Sequence, residues 1–156
     1  MTETATLEAL IPHHVPSETV ARTILVAIRR LAIGGLDDAH ATNILMGDFG
    51  MDYRRPLMFL RILLNEVSQI STHQIQIAPC CCARMTDGEA LFLSIIDNAR
   101  NHPDRARKAL ARLAGTLNCL AALSVAQALG DALDDIGHPL CLAQKDGSQT
   151  SLLCDF

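Results

Sequence analysis

Residues Pro56 to Ile70, "PLMFLRILLNEVSQI", open on a proline, contain no glycine and place apolar side chains at most positions. Proline is tolerated in a first helical turn because the N–H it lacks would have no intrahelical partner there. On such a helix Leu57, Leu60, Leu64 and Val67 fall on one side, and Phe59, Ile62 and Leu63 on the other. Apolar residues over most of a helix's circumference require cover on most sides. The reading therefore makes this helix the centre of a bundle.

The flanking sequence supplies the other members. Ser17 can cap a helix reaching about Ile33, with Val20, Ile24, Ala27, Ile28 and Leu31 on its apolar stripe and Arg22, Arg29 and Arg30 outside it. Gly34 and Gly35 end it. A second helix starts at Asp37 or Asp38 and breaks near Gly47 or Gly50. Beyond the central helix, Ile75 and Ile77 alternate with glutamines, the period of a short half-buried strand that runs into Cys80-Cys81-Cys82. Thr86 and Glu89 have capping-box spacing for a fourth helix to about Arg100, with Leu91, Phe92, Ile95, Ile96 and Ala99 facing inward. Pro103 begins a fifth, which could run to Asp135 with a kink near Gly115 or Gly130. In the tail, Asp146-Gly147 between two apolar runs is a β-hairpin pattern.

The expected fold is thus mostly α, an irregular five-helix bundle with a short strand and a C-terminal hairpin. Pro12 and Pro16 oppose helix before Ser17, so residues 1–16 read as a partly disordered arm and 17–156 as one helical domain. A chain of 156 residues suits one core. Hydrophobic residues make up 49% and charged ones 19%, which excludes wholesale disorder.

Thirteen Lys and Arg against seventeen Asp and Glu leave a net charge of −4, no field for a phosphate backbone, so nucleic acid is not an expected partner. The first ten residues lack the features of a signal peptide, which implies a cytoplasmic protein whose six cysteines stay reduced. Leu113 to Gly130 carries no charge, but Thr116, Asn118, Ser124 and Gln127 make a buried helix a better reading than a membrane span.

Two features bear on function. On the fifth helix Ala111, Gly115, Cys119, Ala122, Ala126 and Gly130 form a strip of small residues that lets another helix approach closely. That helix is either the middle of a monomeric bundle or the apolar face through which two copies pair. The other feature is the cysteine run. If the strand continues, Cys80 and Cys82 share a side and Cys81 faces away. With Cys141 and Cys154 brought in by the hairpin, Cys80 and Cys82 could bind zinc or copper; alternatively the run, beside Arg84 and a helix start, could hold a reactive thiol. The spacing fits no common zinc motif, and the commonest fate of such cysteines is packing.

Asp37 and His40 could share one metal, but a di-metal bundle would need Glu-x-x-His twice, which the chain lacks, and an N-cap aspartate beside an exposed histidine explains them. Arg54 and Arg55 read as solvated, or as holders of an anion or a partner's carboxylate. The sequence has no phosphate-binding loop, dinucleotide fingerprint or nucleophile elbow.

Together "DDAHATN" (37–43), "FGMDYRRPL" (49–57) and "APCCCARMT" (78–86) resemble an uncharacterised bacterial family of short proteins catalogued as a domain of unknown function. The resemblance covers about Val20 to the fifth helix and implies no activity or cofactor. It implies that His40, Asn43, Arg55, Cys80, Cys81, Cys82 and Arg84 share one region. The expected function is a cytosolic, non-enzymatic interaction or regulatory protein, homodimeric through an apolar helix face. The alternative is a soft-metal-binding or redox-sensing protein using Cys80 to Cys82.

Overall fold

The computed structural model describes residues 10–142. Among the described residues six α-helices carry the fold: α1 (Thr19–Gly34), α2 (Ala39–Phe49), α3 (Arg54–Ile70), α4 (Asp87–Asn98), α5 (Pro103–Ala114) and α6 (Leu120–Asp135). A 3-10 turn, Gly50–Tyr53, joins α2 to α3, and β1 (His13–His14) pairs antiparallel with β2 (Arg84–Met85). The chain is mostly α, as its periodicity requires.

The helix boundaries follow local chemistry. Glu18, rather than Ser17, caps α1, its carboxylate accepting from the N–H groups of Val20 (2.8 Å) and Ala21 (2.7 Å). A carboxylate can serve two orphan N–H groups where a hydroxyl serves one. Asp38 caps α2 by accepting from the Ala41 N–H, and Thr86 and Glu89 form the expected capping box of α4. Pro103 is the first residue of α5.

α3 packs most extensively on α6, α4 on α5 and α1 on α2, while α1 also meets α4 and α3. Leu57, Leu60, Leu63 and Val67 of α3 are buried with Ile24, Leu25 and Ile28 of α1, Leu93 and Ile95 of α4, Leu110 of α5, and Leu129 and Leu133 of α6. Each such side chain contributes about 1.5–3 kcal/mol by leaving water. α3 is central, but less evenly covered than its composition suggested: Met58 and Ile62 are 46% and 38% exposed.

The long stretch from Pro103 is divided where Gly115 takes a left-handed φ of 72° and accepts the role of C-cap for α5. Residues 115–119 are non-helical, and α6 then sets off from Cys119. Among the described residues no helix is long and apolar enough to cross a membrane. The hairpin expected at Asp146-Gly147 lies outside the described residues.

The strand expected at Ile75 to Ile77 is not one. Both side chains pack inward between outward glutamines, so the alternation is real, but among the described residues no partner strand runs beside them. The only described strand pair joins His13 to Met85 and His14 to Arg84, inside the segment read as an arm. Arg84 reinforces it, donating from Nε to Ile11 O (2.8 Å) and from Nη2 to Pro12 O (2.9 Å).

At Gly115 a Cβ would lie 2.3 Å from Thr72 Oγ1, in addition to the cost of the left-handed backbone. Gly115→Ala is expected to destabilise the protein by about 1–3 kcal/mol in urea unfolding, with the helical far-UV signal kept. A change within experimental error would show that the α5–α6 corner tolerates a side chain.

Candidate functional site

The cysteine run lies on a loop positioned from beneath by charge. Arg29 of α1 and Glu89 of α4 are 1% and 0% exposed. Arg29 donates from Nε to Glu89 Oε1 (2.7 Å) and from Nη2 to Glu89 Oε2 (3.0 Å), a two-pronged pair. Its remaining reach goes to the loop's backbone, Nη1 to Cys82 O (2.7 Å) and Nη2 to Arg84 O (2.7 Å). The Glu89 carboxylate also accepts from the N–H groups of Ala78 (3.0 Å) and Thr86 (3.0 Å). Burial of two ions is tolerated when each is paired and hydrogen-bonded throughout, a condition met here. Thr86 completes the clamp by donating from its hydroxyl to Gln76 O at 2.7 Å.

This corrects the placing of Arg29 on the solvent side of α1. The available signal was its row: Ala21, Leu25 and Arg29 are spaced four apart, and the first two are buried. Glu89 likewise precedes Phe92, Leu93 and Ile96 on one buried face.

Held in this way, the cysteines form a turn instead of an extended run. Cys82 N–H donates to Pro79 O at 3.0 Å. Cys81 is exposed, Cys80 and Cys82 are half-buried, and Cys119 is buried at the start of α6. Beside Cys80 stands Arg30, whose Nη2 is 3.1 Å from Asp38 Oδ2. Gly34 leaves the space Asp38 needs, since a Cβ there would lie 2.1 Å from Oδ2. Arg30 is held above its ordinary pKa chiefly by the hydrogen bond to Asp38, with the nearby Cys80 adding a smaller contribution. Asp38 is held below the usual carboxylate range, first by the Ala41 N–H and then by Arg30, with His40 adding a smaller attraction.

Of the residues expected to share one region, Cys82 and Arg84 meet at Arg29, whereas His40 is exposed on α2, two residues after Asp38. Arg55 instead pairs with Asp135 at the end of α6 (3.0 Å), and Asn43 is exposed on α2. Cys141 is exposed, and Cys154 lies outside the described residues. Among the described residues no three His, Cys, Asp or Glu side chains stand close enough to hold a metal ion.

Two grooves border α3. The first, about 390 Å³, runs between the end of α1, the C-terminal half of α3 and residues 73–77. Its floor is Leu31, Val67 and Phe92, its walls include Leu64, Ile75 and Ile77, and its polar lining of Asn65, Ser68, Ser71, His73 and Gln74 has no Asp, Glu, Lys or Arg. One wall is fixed at both ends: Thr72 N–H donates to Ala114 O at 2.8 Å, and Ala78 N–H to Glu89. The second groove, about 520 Å³, lies between α2 and the N-terminal half of α3 and is lined by Thr42, Tyr53, Arg54, Leu57, Met58, Arg61 and Ile62.

The small-residue strip meets neighbours within its own chain. Ala122 and Ala126 are buried at 1% and 0%, Gly115 ends α5, and at Gly130 a Cβ would lie 2.9 Å from Arg100 Cδ. Arg100 crosses there to reach Asp131 (2.7 Å) and Asp134 (3.1 Å). The strip serves intramolecular packing, and a contact between copies requires another face.

No curated protein and no solved structure matches the chain. A family model does, over residues 3–139, which takes in the Arg29–Glu89 clamp, the cysteine turn and both grooves. The chain belongs to a family of unknown function, DUF6628.

Proposed function

We propose that this chain is a cytosolic, non-enzymatic interaction protein that works as a homodimer, with the groove between α1, α3 and residues 73–77 as its contact. The observation that carries this reading is an apolar projection beside an apolar recess. Ile33 is 64% exposed at the end of α1, next to Ala32, which lines the groove with Leu31 and Leu36. A two-fold contact is self-complementary, so a projection adjoining a recess can fill the partner's recess while receiving the partner's projection. The absence of charged side chains from the lining lowers the cost of removing water from it. Cys80, Cys81, Cys82 and Cys119 stand as thiols, in keeping with a reducing compartment.

Size-exclusion chromatography with light scattering is expected to give a dimer that dissociates on dilution. Ile33→Glu should weaken it by at least about tenfold, roughly 1.4 kcal/mol, while Met51→Glu, on the 3-10 turn away from the groove, should leave it intact. A wild-type protein that stays monomeric at its highest attainable concentration would contradict the proposal.

A different observation favours a second reading, in which the cysteine turn takes up a soft metal such as zinc or copper, or responds to oxidants. Reactive cysteines occupy partly exposed, electropositive surroundings, and here Arg30 lies near Cys80 while Cys81 is exposed. This reading expects Cys81 to react with a disulfide reagent much faster than Cys119, the fast phase to vanish in Cys81→Ser, and metal to copurify if the turn is a metal site. A Cys81 as slow as Cys119, in protein free of metal, would end it.

A further inference from the structure

We propose that the groove between α2 and α3 binds a small carboxylate that carries a short apolar tail, with Arg61 and Arg54 receiving the carboxylate. Arg61 Nε is buried and has no hydrogen-bond partner, the sole side-chain nitrogen or oxygen in that condition among the described residues. Among the described residues its Nη2 reaches only the Thr42 hydroxyl, at a long 3.3 Å.

The charge pattern points the same way. Arg29, Arg30, Arg55, Arg100 and Arg107 each pair with a carboxylate, whereas among the described residues no carboxylate pairs with Arg54 or Arg61. This occurs in a chain where acids outnumber bases by seventeen to thirteen. Other arginines, such as Arg22 and Arg112, also lack a carboxylate among the described residues, but Arg54 and Arg61 line one groove together. A guanidinium presents parallel N–H groups that match the two oxygens of a carboxylate, so an anion in place of Thr42 would satisfy both Nε and Nη2 once the side chain turns toward it.

The apolar part of the ligand follows from the rest of the lining. Leu57 is buried, while Met58 and Ile62 leave 46% and 38% of their surface in water beside the arginines. Methionine adapts to irregular apolar shapes, which suits a short chain lying along α3. A bare inorganic oxyanion would leave that surface wet. The Tyr53 and Thr42 hydroxyls are neutral groups in the same lining, able to bond either carboxylate oxygen. The site is separate from the proposed dimer groove and does not depend on it.

Isothermal titration of the full-length protein with hexanoate, hexanol and inorganic phosphate tests the proposal. Hexanoate is expected to bind and the other two to bind at least about tenfold more weakly, the usual scale for a charge-assisted hydrogen bond. Arg61→Met and Arg54→Met should each weaken hexanoate about tenfold or more, while Arg55→Met, which breaks only the pair with Asp135, should leave it unchanged. If Arg61→Met fails to fold, Arg61→Lys, which keeps the charge and loses the paired N–H groups, takes its place with the same expected loss. Hexanoate binding unaffected by these Arg54 and Arg61 substitutions, phosphate or hexanol binding as tightly as hexanoate, or no hexanoate binding at all would each overturn it.

Discussion

The guanidinium of Arg29 and the carboxylate of Glu89 meet in the interior at 2.7 Å, and the chain from Gln76 to Thr86 takes its position from them. This segment has no helix, and its only strand residues are Arg84 and Met85. Hydrophobic burial is non-directional and would not set the path of such a loop. Charge-assisted hydrogen bonds are directional. The carbonyls of Cys82 and Arg84 and the N–H groups of Ala78 and Thr86 are the points at which the loop is pinned. Breaking a buried pair from one side leaves an uncompensated charge and typically costs about 3–5 kcal/mol. Here the loss would fall first on the loop, because the helices have apolar contacts of their own.

Several parts of the surface follow from this clamp. The cysteine turn is presented by a backbone fixed from below, and β2, which begins where Arg29 bonds the Arg84 carbonyl, pairs with β1. Residues 73–77 become one wall of the first groove because Ala78 is fixed at one end and Thr72 at the other. α3 contributes to both grooves. Leu64, Asn65 and Ser68 face the uncharged one, while Met58, Arg61 and Ile62 face the one with unpaired arginines. A helix apolar on more sides than a core needs has residues left over for surfaces of this kind.

What the sequence made legible was mostly local. Thr86 with Glu89, Asp38, Pro103 and the Gly34-Gly35 stop act within a turn or two of themselves, so their effect on helix ends could be read directly. Three features depended on residues far away in the chain. The alternation of Ile75 and Ile77 correctly gave the buried side, but a strand also needs a partner, and the loop's hydrogen bonds go to Glu89 and Thr86 instead. Gly115 suits a kink by its sequence alone, and its left-handed backbone, packed so closely that an added Cβ would meet Thr72, makes it a full break. Arg29 and Glu89 lie sixty positions apart, and alone Arg29 looks like a solvated charge and Glu89 like half of a capping box. Their alignment with buried rows on two helices becomes informative only when the two helices are known to meet.

Hydrogen exchange resolved by segment, comparing wild type with Arg29→Met, tests the clamp most directly. The account predicts that protection falls selectively at residues 76–86 and at His13 and His14, while α3, α5 and α6 keep theirs. Unchanged protection in the loop, or a uniform loss over the whole chain, would contradict the claim that this ion pair positions the loop on a helical frame that stands without it.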